Sequence, residues 1–141
     1  MKADNKTESE VKVALTTMAD AYAKRDLRKF MSCFASDADA VLYGTGADEK
    51  RVGPEEITAQ VHRDWAQTET ASMVFASTSV SAAGAVAWAA IDGSFKLQAG
   101  GQNMNLPARV TIVLEKRDGK WLIVHSHFST PAAHQEDGKS F

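Results

Sequence analysis

Hydrophobic positions recur at helical spacing in the first half of the chain and alternate with polar positions in the second half. Three helices are predicted, with the buried stripes Val11, Leu15, Met18 and Tyr22; Leu27, Phe30, Met31 and Phe34; and Ile57, Val61 and Trp65. From Ala71 onward the pattern is that of strands. Helices followed by strands that short turns connect predict an α+β domain, with a curved antiparallel sheet and three N-terminal helices packed on one face.

Local sequence patterns predict where each helix begins. Thr7 and Glu10 have the spacing of a capping box, in which each side chain satisfies a free backbone donor of the first turn. Asp26 can cap the second helix, after the first ends near Lys24-Arg25. The third helix is expected to start at Gly53-Pro54-Glu55-Glu56, because proline suits the first helical position and carboxylates suit the positive end of the dipole.

The predicted strands and loops follow from the same alternation and from the glycines. The strands are Ala40–Tyr43, Met73–Ser81, Ala85–Ile91, Ser94–Gln98, Arg109–Lys116 and Trp121–Phe128. Gly84 and Asp92-Gly93 mark turns or bulges between the earlier strands. Residues 44–53 and 99–105 are predicted to be loops. The chain is predicted to form one single domain that spans residues 1–141, of which residues 131–141 are a flexible tail.

The last hairpin, around Asp118-Gly119, allows two registers that differ in which side chains share a face. A two-residue turn mixes polar and apolar side chains, whereas a three-residue loop separates them, so the three-residue loop is expected. Its inner face would carry Val110, Ile112, Leu114, Leu122, Val124, Ser126 and Phe128. Its outer face would carry Arg109, Thr111, Val113, Glu115, Trp121, Ile123, His125 and His127, which is too apolar to stand in water.

Composition and charge exclude several classes of function. The 141 residues carry a formal net charge of −2, which gives no reason to expect a nucleic-acid or membrane partner. Residues 1–10 are charged and lack the apolar core of a signal peptide, so the cytoplasm is the expected location. The single cysteine, Cys33, lies in an apolar helical pattern and is expected to be a buried structural thiol.

The ending from Arg109 to Leu114, followed by Asp118-Gly119-Lys120-Trp121 and by His125-Ser126-His127, resembles the nuclear transport factor 2-like superfamily. The chain is most similar to its SnoaL-like branch and to the association domain of calcium/calmodulin-dependent protein kinase. The resemblance implies a cone-shaped fold, a pocket between the helices and the concave sheet face, and dimerisation through the outer face. Ketosteroid isomerases of the superfamily have an aspartate base where this chain has Tyr43.

Two sets of candidate residues follow. The predicted ligand pocket comprises Tyr22, Tyr43, Trp65, Phe95, Ile112, Ser126 and Phe128, because aromatic side chains with polar atoms suit the mouth of an apolar hole. The predicted dimer interface comprises Arg109, Trp121, His125 and His127. The two histidines share a face, but no Cys, Asp or Glu is near in sequence to complete a metal site.

The expected function is that of a homodimeric protein that binds a hydrophobic small molecule in a mostly apolar pocket. The first alternative is a lyase, cyclase or isomerase that acts on a hydrophobic carbonyl compound, with Tyr22, Tyr43 or a histidine as acid or base. The second alternative is an oligomerisation module. No cofactor is expected, and Gly44-Thr45-Gly46 lacks the Gly-Lys-Ser/Thr continuation of a phosphate loop. No acidic residue stands at an obvious pocket position, where the resemblance implies a buried acid for a polyketide cyclase.

Overall fold

A computed structural model describes all residues from Met1 to Phe141. In chain order the elements are α1 (Asn5–Ala23), α2 (Leu27–Ser32), β1 (Val41–Tyr43), β2 (Lys50–Val52), α3 (Pro54–Ala66), β3 (Thr70–Ala83), β4 (Val86–Ala99), β5 (Gln102–Arg117) and β6 (Lys120–Ser129). The six strands form one sheet in the order β2-β1-β6-β5-β4-β3. All neighbours are antiparallel except β1 and β6, which are parallel. The predicted α+β class is confirmed, with a mixed sheet.

The three helix starts follow local chemistry. Asp4 caps α1, since its Oδ1 accepts a 2.7 Å hydrogen bond from the backbone N–H of Thr7. The predicted Thr7–Glu10 capping box is therefore wrong, because an aspartate three residues earlier already satisfies that donor. Asp26 caps α2 as predicted, through a 3.0 Å bond from the Lys29 N–H. Pro54 stands at the start of α3, also as predicted.

Several predicted loops belong to strands. The two strands expected on either side of Asp92-Gly93 are one continuous strand, β4. Residues 102–105, predicted to be a polar loop, extend β5, and residues 50–52 form β2. The polar side chains of these segments do not show the apolar alternation that predicts a strand. The segments still pair as strands, because pairing uses the hydrogen bonds of the backbone. Gly100 and Gly101, with φ of 59° and 74°, supply the tight turn between β4 and β5.

Gly93 marks a close approach of two backbones inside the sheet. A Cβ atom at this position would lie 1.9 Å from the carbonyl oxygen of Val74 on β3. The register between β3 and β4 also shifts here, between Phe75 and Ser77. The glycine therefore permits a bulge within the β3–β4 pair and does not mark a turn.

The last hairpin closes with a two-residue turn, so the predicted three-residue loop is wrong. Arg117 pairs with Lys120, and Asp118 and Gly119 both have positive φ, of 50° and 79°. This is the combination that a type I′ turn requires. A β-bulge follows, because Leu114 pairs with Ile123 whereas Val113 pairs with His125. Val124 is the extra residue on β6.

The bulge reverses the phase of alternation partway along β6. Before it, Trp121 and Ile123 face the core; after it, Ser126 and Phe128 do. A regular strand in either register cannot bury all four side chains. The prediction that Trp121 lies on the outer face is therefore wrong: it is 7% exposed, and its indole Nε1 donates a 2.9 Å hydrogen bond to Glu10.

The hydrophobic core lies between the helices and one face of the sheet. Its largest fully buried side chains are Phe30, Leu15, Met18, Ile57, Ile112, Leu114 and Ile123. Cys33 is 8% exposed and its Sγ–H donates to the Lys29 carbonyl at 3.4 Å, which agrees with the prediction of a buried thiol. Burial raises the pKa of this thiol. No helix has both the length and the apolar character needed to cross a membrane.

Candidate functional site

A cavity of about 210 Å³ lies between the helices and the inner face of the sheet. Nine of its 16 lining residues are hydrophobic, namely Tyr22, Phe30, Leu42, Val61, Met73, Phe95, Leu97, Leu106 and Phe128. A larger depression runs along the outside of α1, but it is open to solvent and Val13 is its one hydrophobic residue. Its mostly apolar walls and its position between the helices and the sheet distinguish the inner cavity as the candidate binding site.

The polar end of the cavity contains a tyrosine and an aspartate from two different helices. The Tyr22 hydroxyl on α1 donates a 2.9 Å hydrogen bond to Asp64 Oδ2 on α3. Burial, together with the neighbouring Asp64 charge, raises the pKa of Tyr22 far above its ordinary value, so the hydroxyl stays protonated. Burial also raises the pKa of Asp64, although hydrogen bonds from Gln60 and Tyr22 oppose that shift.

Gln60 connects this pair to the surface. Its side chain is 4% exposed, and its Nε2 donates to Asp64 Oδ1 at 2.7 Å and to Glu49 Oε1 at 3.2 Å. Its Oε1 accepts a 2.9 Å bond from Arg51 Nε on β2. Because an arginine can only donate, Arg51 fixes the orientation of the amide, and both amide hydrogens point toward carboxylates.

Glu49 forms the outer end of the network. Its Oε1 accepts a 2.8 Å bond from Arg63 Nη2, and its Oε2 accepts a 2.9 Å bond from the Gly46 N–H. Arg63 also donates to Asp48 at 2.7 Å. Arg63 therefore neutralises much of the Glu49 charge from the outside, whereas Asp64 has no cationic partner.

Four of the predicted pocket residues lie at or directly behind the cavity wall. Tyr22, Phe95 and Phe128 line it, and the rings of Phe95 and Phe128 are 6.1 Å apart. Trp65 stands behind Tyr22: its ring centroid is 5.9 Å from that of Tyr22 and its Nε1 donates to the Tyr22 carbonyl at 3.2 Å.

The other three predicted pocket residues lie elsewhere. Ile112 and Ser126 pair across β5 and β6 and are fully buried in the core, outside the cavity. Tyr43 lies on the outer face of the sheet, 5.0 Å from the ring of His127. Its neighbour Leu42 faces the cavity instead, because successive residues of a strand point to opposite faces.

The outer face of the sheet brings together three of the four predicted interface residues. Arg109, His125 and His127 lie there, and Trp121 does not. Trp88, half-buried on β4, pairs with Val113, and Val113 pairs with His125. A tryptophan that was not among the predicted interface residues thus lies on this face. No three His, Cys, Asp or Glu side chains are grouped so that they could hold a metal ion.

The sequence interpretation missed the polar residues of the cavity, since Asp64 and Glu49 do line it. The available pattern was the spacing of Gln60 and Asp64, four residues apart and beside the apolar stripe of α3. Such a pair is common on exposed helix faces. Only the packing of α1 against α3 shows that it is directed inward.

The matching family model is described as a SnoaL-like domain and covers residues 11–133. A search of curated proteins finds no match. Many solved structures are similar. A nuclear transport factor 2-like superfamily protein from Salmonella enterica serovar Typhimurium is 18% identical with a TM-score of 0.85, over 97% of this chain and 99% of that one.

Two further structures have descriptions that mention a role. A proposed calcium/calmodulin-dependent protein kinase II association domain from Xanthomonas campestris is 30% identical over 86% of this chain and 85% of that one, with a TM-score of 0.75. A proposed dehydratase of the nuclear transport factor 2-like family from Streptomyces avermitilis is 18% identical over 93% and 100%, with a TM-score of 0.83. With most of its length matched by the family, the chain belongs to the SnoaL-like domain family.

Proposed function

We propose that the protein is a homodimer that binds a small hydrophobic molecule in the inner cavity. The observation that carries this proposal is a mostly apolar cavity whose polar groups, among them the hydrogen-bonded pair Tyr22–Asp64, are gathered at one end. Apolar walls supply affinity by removing hydrophobic surface from water, and a few fixed polar groups orient the guest. The nine hydrophobic lining residues and the partly buried hydroxyl–carboxylate pair fit that division of roles.

The cavity volume limits the size of the guest. The cavity has a volume of about 210 Å³. This is smaller than the ~300–1,000 Å³ of pockets for drug-sized ligands. The expected guest is therefore a single aromatic or alicyclic ring with a short substituent.

Filling the cavity with a larger side chain is expected to weaken binding. Met73 lines the cavity, whereas the next residue, Val74, is exposed on the other face of β3. Met73→Trp is expected to weaken the binding of 2-phenylethanol, measured by calorimetry or by amide chemical shifts, at least tenfold. Val74→Trp adds a tryptophan outside the cavity and should leave binding unchanged. Equal binding by both variants would locate the guest elsewhere.

The proposed dimer forms through the outer face of the sheet. Trp88, Val113 and His125 lie side by side on three neighbouring strands there. A tryptophan next to a valine at the centre of an open sheet face is typical of an interface core. Arg109 and His127 lie on the same face and would supply its polar contacts.

A charge at the centre of this face is expected to separate the protomers. Trp88→Glu would bury an unpaired carboxylate in the interface, so the variant should elute as a monomer in light-scattering chromatography at micromolar concentration. Val13→Glu, at a residue 63% exposed on α1, is the control and should remain dimeric. A wild-type monomer at that concentration would refute the dimer but not the cavity.

A second candidate function is catalysis by the same site, as a lyase, cyclase or isomerase. The observation that favours it is a partly buried aspartate of raised pKa held by a tyrosine hydroxyl, since a carboxylate becomes a stronger general base as its pKa rises above the ordinary value. Any such turnover is expected to fall about a hundredfold or more in Asp64→Asn. Asp20→Asn, at an exposed carboxylate of α1 paired with Lys24, is the matched control. An unchanged rate in Asp64→Asn would remove this candidate.

A third candidate is an association module, in which dimerisation is the purpose. The 30% identity to the proposed kinase association domain from Xanthomonas campestris favours it. It differs from the leading proposal in one measurable respect, because the dimer would form while the cavity stayed without a guest. Dimerisation together with a failure of all small aromatic probes to bind would support this candidate.

A further inference from the structure

The hydrogen-bond donors at the polar end of the cavity are all engaged within the protein. The Tyr22 hydroxyl donates to Asp64, and the two Gln60 amide hydrogens go to Asp64 and Glu49. The Thr68 hydroxyl donates to the Asp64 carbonyl at 2.8 Å. The remaining side-chain donors of the lining, on Thr45 and Gln67, are exposed at the mouth.

Acceptor capacity, in contrast, remains free at the same place. A carboxylate offers about four lone-pair positions, and Asp64 uses two of them, one for Tyr22 and one for Gln60. The Tyr22 oxygen keeps its own lone pairs, because it acts as the donor toward Asp64. A guest that reaches this end therefore encounters acceptors only.

The charges of the cavity lining also favour a guest that donates hydrogen bonds. Asp64 and Glu49 are its only charged residues, and it contains no lysine, arginine or histidine. The guanidinium groups of the nearby arginines have other partners. Arg63 binds Glu49 and Asp48, and Arg51 donates to Gln60 and to the Asp48 carbonyl. Arg25 donates to the carbonyls of Trp65, Thr68 and Glu69. An anionic guest would thus meet two carboxylates and no cation in the cavity wall.

We infer that the cavity selects a small hydrophobic molecule with a hydrogen-bond donor at one end, and a primary ammonium in preference to a neutral hydroxyl. The inference rests on the proposed binding function and specifies its ligand class. Asp64 and Tyr22 accept the ammonium hydrogens, and the ring lies among the aromatic walls. Aromatic faces attract a desolvated cation as well, and Tyr22, Phe30, Phe95 and Phe128 supply four such rings around this cavity.

Three probes with one aromatic ring and different end groups test the inference. 2-Phenylethylamine, 2-phenylethanol and phenylacetate are titrated into the intact protein at pH 7.5 and followed by calorimetry. The amine is expected to bind at least tenfold more tightly than the alcohol, and phenylacetate more weakly than either. The alkylammonium stays charged at this pH because its pKa resembles that of lysine, ~10.4.

Two variants assign the preference to a residue. Asp64→Asn is expected to remove the advantage of the amine and to retain 2-phenylethanol binding within about threefold, since an amide oxygen still accepts. Asp20→Asn removes the same charge from the outside of α1 and should keep the advantage. If Asp20→Asn lowers the advantage as much as Asp64→Asn does, the preference reflects net charge. If both variants bind the amine as the wild type does, Asp64 does not select it. Either result overturns the inference.

The pH dependence gives an independent measurement on the wild type. Ionised Asp64 binds the ammonium and protonated Asp64 does not, so the amine's advantage is present above the raised pKa of Asp64 and is lost as pH falls through it. Binding of 2-phenylethanol should change much less. Failure of every probe to bind would refute the proposed function itself, whereas alcohol binding without an amine preference would refute only the ligand class.

Discussion

Replacement of Gly93 by alanine is expected to destabilise the fold more than any other single-methyl addition in the sheet. The new Cβ would lie 1.9 Å from the carbonyl oxygen of Val74, a separation that real Cβ atoms do not adopt. The obstacle is backbone, which cannot rotate away as a flexible side chain would. The β3 and β4 strands must move apart around the bulge, with the loss of about 3 kcal/mol or more of unfolding free energy.

The measurement is urea unfolding, with the midpoint compared at an unchanged slope. Gly101→Ala is the control, because a Cβ there meets nothing within 4 Å. That variant incurs only the strain of a left-handed backbone at φ 74°, about 1 kcal/mol. A Gly93→Ala midpoint equal to that of Gly101→Ala would mean that β3 and β4 do not approach as described.

Deletion of Val124 is expected to leave the protein folded, whereas deletion of Leu122 is expected to unfold it or nearly so. Val124 is the extra residue of the β6 bulge. Without Val124, Ile123 and His125 become consecutive residues. They already point to opposite faces of the sheet, so the regular alternation of a strand is restored along the whole of β6. Deletion of Leu122 instead turns Trp121 outward and Lys120 inward. Loss of one buried tryptophan alone costs about 3–5 kcal/mol.

Circular dichroism and urea unfolding of the two deletion variants check this contrast. The Val124 deletion should lose about 1–3 kcal/mol, because β6 also pairs with β1 and the connection before β1 must adjust. The Leu122 deletion serves as its matched control, since each removes one aliphatic residue from the same strand. Equal damage from both deletions would contradict the assignment of the bulge to Val124.

The fold class could be predicted because helical stripes and strand alternation are local properties of the chain. The register of the last hairpin could not be predicted in this way. The separation of polar from apolar side chains predicts one regular register for the whole strand, whereas the strand itself uses one phase for Trp121 and Ile123 and the other for Ser126 and Phe128. Val124, the residue at the change of phase, is an ordinary β-former with nothing in its chemistry to mark it.

The candidate site also contains some residues that could be predicted from the sequence and others that could not. Tyr22, Phe95 and Phe128 were predictable, because aromatic residues on buried stripes tend to reach an internal cavity. Asp64 and Gln60 were not, since a polar pair four residues apart on a helix normally faces water. Their burial depends on Tyr22 lying opposite, 42 positions away in sequence from Asp64. That relation is tertiary, and no local pattern contains it.

The buried state of Cys33 makes the native chain suitable for site-specific labelling. It is the one thiol in the sequence, it is 8% exposed, and its raised pKa keeps it in the unreactive protonated form. A cysteine introduced at the exposed Thr45, at the cavity mouth, would therefore react with a maleimide fluorophore while Cys33 stays intact. A reporter of guest entry can thus be attached without first removing a native cysteine from the core.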